Sequence, residues 1–158
     1  MLESGRGQTI VAYTNPYLQQ YRRTSVESAT PLQLIVMLYD GALRFIEQGK
    51  GAMARGAVEE QNAALQKAQK IVAELMSSLD MDKGAEVAKN LLSLYTFTYN
   101  RLIEGNCEDD VQKIDQAAEV MRQLRESWAK LEEQSRQNRP TLTVEEGGLS
   151  EEGFSDAA

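Results

Sequence analysis

TPLQLIVMLYDGALRFI, residues 30–46, is the most apolar part of a chain otherwise rich in Glu, Lys, Gln and Ala, and its reading decides the fold. Ser28 or Thr30 can cap a helix, and Pro31 stands at a first helical position, where the amide has no intrahelical partner anyway. A helix therefore begins near residue 31. Ile35, Leu38, Ala42, Phe45 and Gly49 step by three or four along one stripe, and Val36, Tyr39, Leu43 and Ile46 form a second. Leu34, Met37 and Gly41 add a third. A helix apolar around so much of its circumference is either surrounded by other helices or keeps an open side for a partner. Only three further long helices are legible, so the open side has to be weighed.

The first long helix runs to about Ala54. The glycines of GKGAMARG weaken its end and read as close helix packing or fraying, because a phosphate loop needs a Gly-Lys-Ser/Thr order and a preceding strand. Over 57–79, Val58, Leu65, Ala68, Val72, Leu75 and Leu79 follow a seven-residue repeat, with Gln61 in the one polar seat. Asp80 to Gly84 reads as a turn, with Asp82 as the cap of the next helix. From Ala85 to Glu104 the stripe is Ala88, Leu91, Tyr95, Thr98 and Leu102, with Tyr99 outside it, and Gly105-Asn106 ends the helix. Residues 109–136 carry Val111, Ile114, Ala118, Met121, Leu124, Trp128 and Leu131. Connectors this short leave no room for crossovers, so the expected fold is all-α, an antiparallel up-down four-helix bundle.

The bundle domain is placed at 13–136. Residues 1–12 are Gly-rich, polar and without period, and 137–158 are acidic and Gly- and Ser-rich; both are expected to be disordered. Between residue 12 and the first long helix, Asn15-Pro16 can open a short helix that carries Tyr17, Leu18 and Tyr21, with Tyr13 just before it. About two turns of helix are not stable alone. Burying one large side chain contributes about 1.5–3 kcal/mol against about 1–2 kcal/mol per residue ordered, so the segment is balanced between docked and free, as a removable cover would be.

Composition excludes several functions. A net charge of -7 and a pI near 4.7 argue against non-specific nucleic-acid binding and against an anionic membrane surface. The N-terminus lacks a secretory pattern, Cys107 has no disulfide partner, and no apolar run reaches spanning length; a cytoplasmic protein without membrane insertion is expected. There is no histidine, which removes histidine phosphotransfer and the usual Glu-x-x-His di-iron site. Glu59-Glu60, Glu108-Asp109-Asp110 and Glu132-Glu133 lie at helix ends or on wet faces and read as solvated charge. Cys107 sits beside Glu108 and Asp109, which oppose a lowered thiol pKa. No catalytic residue, metal ligand or cofactor is expected.

Ala12-Tyr13 with Asn15, Tyr17 and Tyr21, then SATPLQLIVMLYDGALRFIEQG, NAALQKAQKIVAELMSSLD and AKNLLSLYTFTYNRLIEGN, resemble the flagellar secretion chaperone family FliS, from about Ala12 to Trp128. That resemblance implies a four-helix bundle capped by a short N-terminal helix bearing Tyr13, Tyr17, Leu18 and Tyr21. It implies a cytoplasmic chaperone that binds the disordered C-terminal region of flagellin, prevents premature polymerisation and delivers it to the export gate of the flagellar type III system. By matching position, Leu34, Met37, Asp40 and Gly41, with Leu94, Tyr95, Thr98 and Tyr99 on an adjacent stripe, would lie near the flagellin groove. Gly49 and Gly51 depart from the alanines frequent in the family, and nothing transfers to the acidic tail. The alternative is a bundle that self-associates through the same groove as a homodimer when unliganded.

Overall fold

Thr30 caps the first helix reciprocally: its hydroxyl accepts from the Gln33 amide at 3.2 Å, and its own amide donates to the Gln33 side chain at 2.9 Å. With Pro31 at the first helical position, this starts α1 (Pro31–Arg55) in the computed structural model, which describes residues 28–140. The expectations for 1–12, for the capping segment with Tyr13, Tyr17, Leu18 and Tyr21, and for the tail beyond Pro140 lie outside the described residues. Gly56 closes α1 in the left-handed conformation, φ 67°, which glycine adopts without steric cost. Then come α2 (Val58–Ser77), α3 (Met81–Glu108) and α4 (Val111–Gln137). The described chain is an all-helical bundle of four helices.

Two boundaries differ from those the sequence predicts. Asp80, not Asp82, caps α3: its carboxylate accepts from the Asp82 and Lys83 amides at 3.1 and 3.0 Å, so the expected turn is already helical. Gly105-Asn106 does not end α3, which continues to Glu108 and closes on Asp109 in the left-handed conformation, φ 52°. Gly105 serves contact instead of termination. A Cβ there would lie 2.5 Å from Ile114 Cδ1 and 2.9 Å from the Asp110 carbonyl oxygen, so α3 and α4 approach each other at a point only glycine leaves open.

Each helix packs on its two neighbours in a closed ring, α1 on α2 and α4, α3 on α2 and α4. The buried rows are those the spacing predicts: Leu65, Ala68, Val72 and Leu75 of α2, Ala88, Tyr95, Thr98 and Leu102 of α3, and Ile114, Ala118 and Met121 of α4. In α1 the buried arc is Tyr39, Ala42, Ile46 and Gly49, between the first two stripes. Gly49 is the close contact to α2, since a Cβ there would lie 2.5 Å from Leu65 Cδ2. Val58 and Leu131, also in the expected rows, are exposed near helix ends where burial runs out.

Polar residues inside the bundle are satisfied. Thr98 donates to the Leu94 carbonyl one turn back at 2.8 Å. Gln61, in its polar seat, donates to the Asn106 carbonyl, the Asn106 side chain and Asp109 at 3.3, 3.1 and 2.9 Å, tying the start of α2 to the end of α3. Tyr39 and Tyr95 join hydroxyl to hydroxyl across the bundle, their ring centroids 6.3 Å apart. Both hydroxyl pKa values are pushed up, chiefly by burial, while Trp128 beside them pulls the other way.

Candidate functional site

The third stripe of α1 is the one the bundle leaves open. Leu34 and Met37 are 38% and 40% exposed, while Gly41, next along the stripe, is covered by Ile71 of α2, whose Cδ1 would lie 3.3 Å from an added Cβ. One turn further, Phe45 is half-buried under two cations, Arg44 at 5.6 Å and Lys67 of α2 at 5.5 Å from the ring centroid. An apolar strip on the α1–α2 side thus ends in a positively charged margin.

The α1–α4 seam is built differently. Asp40 holds Arg125 at 2.7 Å, Lys50 holds Asp115 at 2.6 Å, and Gln33 donates to Glu132 at 3.3 Å. These contacts raise the pKa of Arg125 and Lys50, in each case first through the hydrogen bond to the partner carboxylate. Asp40 is therefore exposed yet already engaged, and the seam it borders is polar.

On α3, Leu94 is exposed, Tyr99 is half-buried, and Tyr95 and Thr98 are inside the core. In this conformation Gly41, Tyr95 and Thr98 offer no face to a ligand. The stripe containing Leu94 reaches α1 through the core, where Tyr95 meets Tyr39, and not along the surface. Because the ring places α2 and α4 between them, Leu34 and Met37 look out from one helix and Leu94 from the helix across the bundle. A partner touching both must pass over an intervening helix or around an end. Phe97, which periodicity alone does not single out, is exposed near Leu94 with Arg101 at 5.2 Å from its ring. The available signal was an aromatic residue on the wet side of an amphipathic helix.

Among the described residues no group of three His, Cys, Asp or Glu could hold a metal ion, and no helix is long and apolar enough to cross a membrane. The described residues form a helical bundle with a packed core and separate apolar patches on two of its helices. The family model described as "Flagellar protein FliS" matches residues 13–135, and the chain belongs to that family, which comprises flagellar secretion chaperones and not enzymes. The flagellar secretion chaperone FliS of Vibrio cholerae is 36% identical over 115 residues, 70% of this chain and 85% of that protein. That of Salmonella typhimurium is 35% identical over 124 residues, 75% and 92% of the two chains, and that of Bacillus subtilis 30% over 129 residues, 82% and 95%.

Proposed function

We propose that this chain binds the disordered C-terminal region of flagellin in the cytoplasm, keeps it from polymerising prematurely and delivers it to the flagellar type III export apparatus. The observation that carries this reading is the open stripe of α1: Leu34 and Met37 stay about 40% exposed on a helix whose other apolar rows are covered. Leu34 and Met37 are the first contacts, with Leu94 and Tyr99 on the far helix and Asp40 at the polar edge. Such surfaces suit an extended chain that wraps the bundle and orders as short amphipathic helices where apolar positions meet the patches. Ordering a disordered ligand offsets part of the gross interaction, which keeps affinity compatible with release at the export gate.

The bundle is read as antiparallel up-down. Asp40 early in α1 meets Arg125 late in α4, while Lys50 later in α1 meets Asp115 early in α4. Gly41 faces Ile71 and Gly49 faces Leu65 in the same reversed order. The segment with Tyr13, Tyr17, Leu18 and Tyr21 is read as a removable cap that competes with flagellin. Light scattering and calorimetry with a flagellin C-terminal peptide test the whole reading. A 1:1 complex is expected, with removal of residues 1–22 leaving affinity equal or higher. A homodimer that persists at saturating peptide would point to self-association instead, and a marked loss on truncation would make those tyrosines direct contacts.

A further inference from the structure

Near the end of the bundle where α2 passes into α3, the structure holds an apolar cavity of about 350 Å3, with Leu75 and Leu79 on one wall, Leu91 on another and Trp128 among its lining residues. At this cavity α3 is not one continuous helix. Ala85 has φ 46° and ψ -121°, a conformation that belongs to glycine, so the turn Met81–Gly84 is set at an angle to the rest. Asp80, Lys83 and Gly84 line the cavity from before this break, and Val87, Ala88 and Leu91 from after it.

The two residues at the break act in opposite directions. A Cβ on Gly84 would lie 2.6 Å from the Ala88 Cβ. In an unbroken helix residues four apart hold their Cβ atoms about 5–6 Å from each other, so that collision exists only in the bent form. The missing side chain of Gly84 therefore permits the bend, while the side chain of Ala85 strains it. Asp80 holds the turn together through the Asp82 and Lys83 amides, so the turn moves as a unit.

We propose that Met81–Gly84 is a hinged flap over the end cavity: bent at Ala85 it forms part of the wall, and straightened into α3 it uncovers the apolar interior around Trp128. Trp128 is the only tryptophan of the chain, so its fluorescence reports this opening without a label. Ala85→Gly removes the strain of the bent form. It is expected to lower quenching of Trp128 by acrylamide and to slow exchange of the indole proton, which reads a minor open population, by about tenfold. Gly84→Ala introduces the collision and is expected to raise both, with the far-ultraviolet circular dichroism of a folded bundle retained. Both variants moving the same way, or neither moving indole exchange, would overturn the hinge. Should Gly84→Ala fail to fold, Ala85→Gly decides alone: indole exchange that is unchanged or faster refutes the flap.

Discussion

The hydroxyl pair at the centre of the bundle gives a sharp test of which tyrosines are structural. Tyr39 is fully buried and Tyr95 is 2% exposed, and each hydroxyl has the other as partner. Tyr95→Phe removes one oxygen and leaves the Tyr39 hydroxyl buried with only Trp128 beside it, which costs about 1–3 kcal/mol for a polar group left under-satisfied. Tyr39→Phe should cost about the same for the reciprocal reason. The double variant loses both hydroxyls together and leaves no orphan, so it should cost only about 0–1 kcal/mol. The coupling, both single losses together less that of the double, is then about 1–6 kcal/mol, its lower half within the range for residues in contact. Urea unfolding followed by circular dichroism measures it, provided the slope with denaturant is unchanged among the four proteins. In a bundle of this size each kcal/mol corresponds to roughly 3–6 °C of melting temperature, so the singles should stand clearly below the double. Additive losses, or singles as stable as the parent, would refute the pair. If Tyr95→Phe weakened flagellin binding with stability intact, Tyr95 would be a ligand contact and not core.

The same pair sets an alkaline limit. Burial raises both pKa values above the value near 10 of free tyrosine, so the folded state holds these protons more tightly; their contribution is complete below about pH 10 and is lost as pH rises beyond it. Unfolding free energy measured from pH 8 to 11 should bend downward above pH 10, and the double phenylalanine variant should bend less; equal curves would contradict the assignment. The glycines of α1 should part company. Gly49→Ala drives a Cβ to within 2.5 Å of Leu65, which is fully buried and has little room to move, for an overpacking cost of about 1–3 kcal/mol against about 1 kcal/mol of helix propensity gained. Gly51→Ala meets nothing within 4 Å and should gain up to about 1 kcal/mol. Thermal melts that rank the two variants the other way would mean that α1 and α2 do not meet at Gly49.

Much of this fold is legible in the residues because four amphipathic periods and their caps agree with one another. Thr30 and Pro31 announce the start of α1, and the rows through Leu65 and Tyr95 are the rows that are buried. What escaped was decided by tertiary contact. Gly105 looks like a helix stop but is kept small for Ile114, and Asp80 and Asp82 are equally plausible caps until the backbone chooses. The break at Ala85 falls where the sequence places the end of the Asp80–Gly84 turn, but nothing in the residues shows that the turn before it is itself helical or that alanine takes the strained conformation. The candidate site was half legible. Periodicity marks Leu34, Met37 and Gly41 as one stripe, but only the position of Ile71 separates the covered Gly41 from its open neighbours. On α3, a row containing Tyr95 and Thr98 could face a core or a ligand equally well, and the ring of helices turns it inward.

The central claim is that the open stripe of α1 is where flagellin binds, and Met37→Asp tests it most directly. Met37 retains 40% of its exposure in the free bundle, so covering the remainder contributes about 1 kcal/mol, and a carboxylate pressed under an apolar ligand costs several kcal/mol more. Calorimetric titration with the flagellin C-terminal peptide should show affinity weaker by about 30-fold or more, with helix content unchanged and stability within about 2 kcal/mol of the parent. An unchanged dissociation constant, or a loss of affinity matched by a loss of helix, would place Met37 outside the binding face.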